Sequence, residues 1–482
     1  MKYKYQKLVG QLVKQIEQGT YAPGQKLPGI RKLSNVSDTS ISTVITAYQT
    51  LEQMGYVEAK PRSGYVVKNK KQLPATDKLS FKGISAPTLV KTQEVALELA
   101  GRASVDGIVK FGEAIPASQY FPFHDIQRAI KRVAKTYGQS AIKYEKTLGS
   151  EQLRTIISRR MADHGTFVSP DDILITNGTQ EAVMLSLRLV TSPGDVIAVE
   201  SPTFYGLLQI IYSLGLKVIE IPTYPKTGMC LKSLKHALQK WKVKACLCIP
   251  NFSNPSGTLM PDIQKMELIS LLQSHQVPLI EDDNYGDLTF SERRPSSCLG
   301  LSNGSDIFYC GGFSKTISPD LRIGWVTNPL YTKQLAYHKF VTNLSTSAFP
   351  QLVIADVLSN GHYDRHLRRI RSEYKDCLEK MLHAVERYFP DNTRIVKPDG
   401  GFMVWAELPV QIDTMQLLAD VIKNGISIAP GVAFSASGKY TNFIRLSYAC
   451  NWNSATERAL EYIGNAAKNL LIEPARAFGN NN

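Results

Sequence analysis

Lys315 stands in the stretch FSKTISPDLRIGW, seven residues before Arg322, where a strand-like run from Phe308 enters a loop. A lysine amine there can condense with an aldehyde, and a guanidinium at that spacing can grip a phosphate through parallel N–H donors. A lone Ser-Lys pair carries little information, so the reading depends on what accompanies it. Asn177-Gly-Thr-Gln ends one apolar run and opens the helical stretch 181–190. The first amides and positive end of such a helix attract phosphate, and Gly178 lets the backbone come close, although an ordinary strand-to-helix turn looks similar. Glu281-Asp-Asp-Asn-Tyr places Asp282 and Tyr285 three apart at the carboxyl end of a strand, where α/β sheets hold their ligands. Asp283 is the alternative acid, and an acidic run that merely caps the strand is the other reading. Ser253-Asn-Pro-Ser-Gly offers the Asn254 amide in what is otherwise a turn sequence. Glu200-Ser-Pro-Thr-Phe-Tyr-Gly offers Phe204 or Tyr205 as an aromatic plate, although such rings usually end in a core. Arg445 lies between apolar residues in Asn442-Phe-Ile-Arg-Leu-Ser-Tyr, and a guanidinium buried there needs an anion such as a small-molecule carboxylate.

An imine-forming lysine, an acid for a pyridine nitrogen, donors to a 3' oxygen, an aromatic face and a phosphate cup are the groups that pyridoxal 5'-phosphate requires. All five kinds are present, with Asp282 the acid that keeps the ring nitrogen protonated. The elements that must position them alternate: strands at 173–176, 196–199, 245–249, 279–281 and 307–309 are separated by helical stretches, which predicts an α/β domain with a mostly parallel sheet covered by helices. There is no internal repeat.

Ahead of this domain lies a different unit. Leu8, Leu12, Val13 and Ile16 recur at helical spacing over 5–18, with Gly19 as a stop. A short helix over 28–35 and a longer one over 40–54, with Ile41, Val44, Ile45, Tyr48 and Leu51 apolar, follow, and Gly55 ends the latter. Two β runs, 56–60 and 64–68, flank the turn Pro61-Arg-Ser and would form a two-stranded wing. Residues 1–75 hold twelve Lys/Arg against four Asp/Glu, a net +8 of the chain's +14, which points to a polyanionic partner. The basic groups taken as a merely solvated face of an interaction module are the alternative. Residues 69–104 read as a connecting stretch. Its first part is linker and one helix falls around 92–99; a flexible chain of ~37 residues spans roughly 35 Å. Domains are thus expected at 1–68 and 105–470, with a tail over 471–482 that is disordered from Phe478. Seven cysteines without the spacing of a secreted scaffold imply reduced thiols, and Cys246 and Cys248 fall in an apolar run that suits a buried strand rather than a metal site. With no signal peptide and no apolar run of membrane-spanning length, the chain reads as soluble and cytoplasmic, with no metal and no membrane partner.

The lines LPGIRKLS, SISTVITAYQTLEQMGYV and KPRSGYVV resemble the GntR-type winged helix over residues 1 to about 68. The resemblance implies double-stranded operator DNA as partner, with Arg31, Ser40, Ser42, Thr43 and Tyr48 facing it and Lys60 and Arg62 on the wing. Arg31 and the wing would be the phosphate contacts. The sequence departs at Ile41, where such proteins commonly carry arginine. Residues ~105 to 470 resemble fold type I aminotransferases, of the alanine and kynurenine or aminoadipate branch, with a smaller C-terminal subdomain. That resemblance implies Lys315 for the Schiff base, Asp282 for the pyridine nitrogen, Asn254 with Tyr285 for the 3' oxygen, and Phe204 stacked on the ring. Gly178, Thr179, Gln180, Ser314 and Arg322 would cup the phosphate. Tyr144, in IKYEKTLGSEQLR, would reach it from the partner subunit of a homodimer, and Arg445 would hold a carboxylate. Gly312 departs from the pattern, since such proteins often place serine three residues before the lysine. The two units together are similar to the MocR subfamily of regulators. In that subfamily the second domain is thought to sense pyridoxal phosphate or an amino compound, and dimers exchange their DNA-binding arms head to tail. A working aminotransferase with an accessory DNA-binding module, and a passive DNA-binding scaffold, are the alternatives.

Overall fold

The computed structural model describes residues 4–53, 56–60, 64–68, 84–102, 107–302 and 304–472. The chain begins with three helices, α1 (Lys4–Glu17), α2 (Ile30–Ser37) and α3 (Ile41–Gln53), and a hairpin of β1 (Val57–Lys60) and β2 (Gly64–Val67). The helical phase read from the sequence sets the packing: Leu8 and Leu12 of α1, Leu33 of α2 and Val44, Ala47, Tyr48 and Leu51 of α3 close one small core with Tyr56, Val57 and Val67. The hairpin is antiparallel in the register Val57↔Val67 to Lys60↔Gly64. It gains a third rung from the turn before α2, where the Leu27 N–H donates to Tyr65 O and the Val67 N–H to Gln25 O, both at 2.8 Å. Arg62 and the tail from Phe478 lie outside the described residues.

The second half of the connecting stretch is built onto the large domain. Thr88 bridges Val218 antiparallel, and the Lys91 N–H donates to Ala436 O at 3.0 Å. Helix α4 (Gln93–Arg102) then packs Val95 and Leu99 against Tyr205, Trp405, Phe434 and Phe443.

The large domain opens with a short strand β3 (Val109–Lys110) and helices α5 (Phe123–Tyr137) and α6 (Glu151–Ala162). Its strands are β4 (Ile173–Asn177), β5 (Val196–Ser201), β6 (Lys217–Tyr224), β7 (Gly228–Met229), β8 (Val243–Cys248), β9 (Leu279–Asp282), β10 (Ile307–Gly312) and β11 (Ile323–Thr327). They form one sheet in the order β4-β11-β10-β9-β8-β5-β6-β7. Pairing is parallel from β10 through β9, β8 and β5 to β6, whereas β11 runs antiparallel to both neighbours and β7 antiparallel to β6. All five strands predicted from apolar runs are in this sheet. The sequence reading left β6 and β11 unassigned; β6 carries Pro222, a residue that argues against a strand in sequence, and β11 directly follows the loop read for its chemistry. Helices α7 (Thr179–Val190) and α8 (Tyr205–Ser213) start at the carboxyl ends of β4 and β5.

A smaller antiparallel sheet orders β12 (Arg394–Ile395), β13 (Met403–Glu407), β16 (Phe443–Ser447) and β15 (Ala429–Pro430), while β14 (Ile426–Ser427) pairs in parallel with β3. The 27-residue helix His362–Tyr388 and the helix Ser454–Ile472 pack together in this region. One continuous apolar core runs through both sheets. No helix among the described residues is long and apolar enough to cross a membrane.

Candidate functional site

The parallel strands deliver their chemistry at one edge: β9 ends on Asp282, the loop after β10 carries Lys315, the turn after β8 carries Asn254, and α7 and α8 begin with Thr179 and Tyr205. Lys315 Nζ donates to Ala114 O at 2.7 Å. Burial and the nearby Arg445 push its ammonium down to about 8, against the pull of Asp282. Asp282 is 4 % exposed. Burial, reinforced by the Asp283 charge, raises its carboxyl to about 7, opposed by Lys315 and by the Asn284 amide that donates to it at 2.9 Å.

The two acids differ in their partners. Asp283 is engaged elsewhere: Arg294 Nη2 reaches it at 2.7 Å, the Tyr309 hydroxyl at 3.1 Å and Asn251 Nδ2 at 3.2 Å. Asp282 is the acid turned toward the electrostatic field of Lys315.

Tyr285, Asn254 and Arg445 form a chain of buried polar groups. Asn254 Nδ2 donates to the Tyr285 hydroxyl at 3.1 Å, and Arg445 Nη1 donates to Asn254 Oδ1 at 3.1 Å. Tyr285 titrates well above the usual phenol range because it is buried beside Asp282. Arg445 is 0 % exposed, as its apolar neighbours in sequence implied. Its Nη2 donates to Gly112 O, its guanidinium lies 5.0 Å from the Phe434 ring centre, and Nε has no hydrogen-bond partner among the described residues. A buried guanidinium whose Nε is unmatched carries a desolvation cost that an anionic partner would offset.

The phosphate-cup candidates gather where α7 starts. Arg322, at φ 53, donates from Nη2 to Asn177 O at 3.1 Å and from Nη1 to Pro319 O at 3.3 Å. Its guanidinium lies so close over Gly178 that a β-carbon there would stand 2.5 Å from Nη2, and Gly178 itself has φ +79. This is a glycine required twice, by conformation and by contact. Thr179 departs from a simple phosphate role, because its hydroxyl donates to Asn284 Oδ1 at 2.8 Å and Gly311 O at 3.1 Å. What it offers an anion is the helix-opening amide. Gly312 explains itself the same way: a β-carbon there would lie 2.4 Å from Thr179 Oγ1 and 2.8 Å from Asn284 Oδ1. The space a side chain at 312 would take is filled by Thr179 and Asn284. Ser314 is buried beside the lysine, and Gln180 is exposed.

Phe204 and Tyr205 are separated by the turn into α8. Phe204 and Gln180 Nε2 both crowd the β-carbon position of Gly206, which places Phe204 beside the start of α7. Tyr205 packs on Phe434, 6.0 Å from the Arg445 guanidinium. Tyr144 is 88 % exposed and is not brought to the site by its own chain. The sequence reading missed Asn284, which ties Asp282 to Thr179, and the carbonyls of Gly112 and Ala114. It also missed the buried pair Lys339–Glu181, 2.7 Å apart, whose carboxylate accepts the Asn177 N–H and so braces the start of α7. Asn284 was legible as the polar neighbour of the acidic pair; the others depend on contacts far apart in sequence. Lysine, acid, 3'-oxygen donors and a phosphate corner converge on one sheet edge, and this donor set fits pyridoxal 5'-phosphate. Among the described residues no cluster of His, Cys, Asp or Glu could hold a metal.

On the N-terminal module, Ser40 caps α3 by accepting the Thr43 N–H at 3.2 Å, and its hydroxyl bonds those of Ser42 and Thr43 at 2.9 and 2.8 Å. Arg31, Ser40, Ser42 and Lys60 are exposed, and Lys60 pairs with Glu58 at 3.0 Å. Tyr48 corrects the sequence expectation. It is 1 % exposed, its hydroxyl donates to Pro28 O, and its ring lies 4.8 Å from Tyr65. In phase with Val44 and Leu51, it belongs to the core stripe of α3 and does not face DNA.

Comparison with known proteins bears on both halves. Residues 4–67 match the model described as bacterial regulatory proteins, gntR family, and residues 110–463 match aminotransferase class I and II. The chain belongs to the HTH-type transcriptional regulators that join these two domains, the MocR-type architecture. It is 37 % identical over 96 % of its length to the uncharacterized HTH-type transcriptional regulator YjiR of Escherichia coli, covering 98 % of that protein. Among solved structures it resembles LysN, the α-aminoadipate aminotransferase of Thermus thermophilus complexed with N-(5'-phosphopyridoxyl)-L-leucine. Identity there is 29 % and the TM-score 0.72, over 78 % of this chain and 97 % of that one. It also resembles the kynurenine aminotransferase of Pyrococcus horikoshii, with 30 % identity and a TM-score of 0.74 over 79 % and 95 % of the two chains.

Proposed function

We propose that this regulator senses a carboxylate-bearing amino compound at its pyridoxal-phosphate site and passes the event to its DNA-binding arms. The observation that carries this is the buried Arg445, hydrogen-bonded to Asn254 yet with Nε unmatched, at the rim of the cofactor residues. Pyridoxal phosphate supplies an aldehyde that exchanges amines and a ring that withdraws electrons. The protein supplies the rest. Lys315, held down to about 8 by burial, presents a larger neutral fraction near physiological pH than an ordinary lysine. Asp282 pairs with the ring nitrogen, Asn254 and Tyr285 donate to the 3' oxygen, and Phe204 covers the ring. Arg322, Ser314, Gln180 and the amides of Gly178 and Thr179 hold the phosphate, while Arg445 takes the effector's carboxylate. Arg31, Ser40, Ser42 and Thr43 face operator DNA, with Lys60 and Arg62 on the wing.

The working form in this reading is a homodimer in the cytoplasm. The exposed Phe123, Ile130, Ile142 and Tyr144 support the dimer, in which Tyr144 reaches the other subunit's phosphate site. Seven cysteines, none in a disulfide, support a reducing compartment.

A second reading, turnover as an aminotransferase, is favoured by the intact set of Lys315, Asp282, Asn254 and Tyr285. One experiment separates them: operator affinity is measured against increasing α-amino acid for wild type, Arg445→Ala and Arg445→Lys, with keto acid followed in parallel. The sensor reading expects Arg445→Ala to keep cofactor and DNA binding but to lose the response, and Arg445→Lys to keep part of it. An operator response that tracks product accumulation instead would establish the enzyme reading.

A further inference from the structure

The face that α3 turns to solvent consists of Ile41, Ser42, Ile45, Thr46 and Gln49. Ile41 is 48 % and Ile45 36 % exposed, one turn apart on the same side of the helix. The helix contains no lysine or arginine. Its hydroxyls are largely occupied with one another and with backbone: Ser40 with Ser42 and Thr43, Thr46 with Ser42 O at 3.0 Å, and Thr50 with Thr46 O at 2.7 Å. The cations lie to its flanks, as exposed Arg31 and Lys32 on α2 and Lys60 on β1. The arrangement places two exposed isoleucines, without a cation among them, between flanking basic side chains.

We propose that Ile41 and Ile45 read thymine methyl groups in the major groove. This rests on the DNA-binding reading of the module and goes beyond it, because it assigns the base chemistry. Guanine is read by a cation on the N7 and O6 edge, and α3 has none to offer. The thymine C5-methyl is the one apolar group on the major-groove edge, and a branched aliphatic side chain covers it without a hydrogen bond. Both isoleucines stand outside the module's core, so their exchange for alanine leaves that core intact.

The test uses the full-length protein with pyridoxal phosphate and a duplex selected by it from a random-sequence pool. Each dT of the selected duplex is then replaced by dU, which removes one methyl and leaves base pairing unchanged. Wild type should bind about fourfold more weakly for each methyl that an isoleucine covers, the value of one buried methyl-sized group. Ile45→Ala should bind the dT duplex at the level at which wild type binds the corresponding dU duplex, and show no further dU penalty there; Ile41→Ala should do the same at a different position. Equal binding of dT and dU duplexes by wild type, or a dU penalty that survives in both variants, overturns the proposal while leaving DNA binding standing. Failure to select any sequence or to bind any duplex overturns the DNA-binding reading and the proposal together.

Discussion

At the scale of single residues the site is a set of buried groups whose titrations are shifted toward neutrality by burial. Asp282 shows this most directly. Without cofactor its carboxyl is raised from the ordinary 3.8 to about 7, chiefly by burial. A raised acid means that the folded chain holds the proton more tightly than the unfolded one. The stability is therefore fully present at low pH and is lost as pH climbs from about 4 to about 7. Three units correspond to on the order of 4 kcal/mol. Asp282→Asn removes the titration, so the cofactor-free variant should unfold at a temperature about 5 °C above cofactor-free wild type at pH 8, with the gap shrinking toward pH 5. Scanning calorimetry at the two pH values checks this, and a gap independent of pH would refute it. The same variant should retain pyridoxal phosphate less well, since the ring nitrogen loses its acid.

At the scale of elements, the sequence revealed what is local and concealed what is assembled from distant parts. The five predicted strands were visible as continuous apolar runs, buried on both faces, and the three N-terminal helices and the hairpin as short elements bounded by turn residues. Lys315 was visible through its spacing to Arg322, Asp282 through its place at the carboxyl end of a strand, and Arg445 because a guanidinium between apolar neighbours is costly without a partner. Tyr48 was misplaced because a resemblance put it on the surface although its phase with Val44 and Leu51 placed it in the core. Gly312 was read as a missing hydroxyl, whereas the Thr179 side chain, 133 residues earlier and delivered by α7, occupies that space. Two elements thus share one small volume, and a prediction follows. Gly312→Ser drives its β-carbon into Thr179 and Asn284, so it should cost about 1 to 3 kcal/mol of stability and weaken pyridoxal phosphate binding by about tenfold or more. Gly312→Ser with Thr179→Ala vacates the space and adds a hydroxyl, and should recover most of both losses. Equilibrium dialysis with the cofactor and thermal unfolding of the single and double variants decide it; a single variant indistinguishable from wild type would mean that the contact is slack.

At the scale of the molecule, the question is how a small ligand near Arg445 is felt by an arm whose net charge of +8 draws it to DNA. The chain returning from that arm is anchored by Thr88 on β6 and by Lys91 on Ala436, and α4 rests on the aromatic cluster that includes Tyr205 and Phe434. Phe434 is also the ring beneath the Arg445 guanidinium. In the sensor reading proposed above, a carboxylate held by Arg445 acts on the platform that seats the tether, and only a difference in effector affinity between two placements of that platform can shift the arms. Such couplings amount to about 1 to 3 kcal/mol, or roughly 5- to 150-fold in affinity. Linkage then requires reciprocity: whatever factor the amino acid imposes on operator affinity, the operator must impose on amino acid affinity. The absorbance of the cofactor, titrated with amino acid in the presence and absence of saturating selected duplex, should shift its midpoint by the same factor by which that amino acid shifts the Kd for the duplex. An operator response without a matching shift in the absorbance titration would mean that the signal is not the bound amine, and would turn attention to a product of turnover.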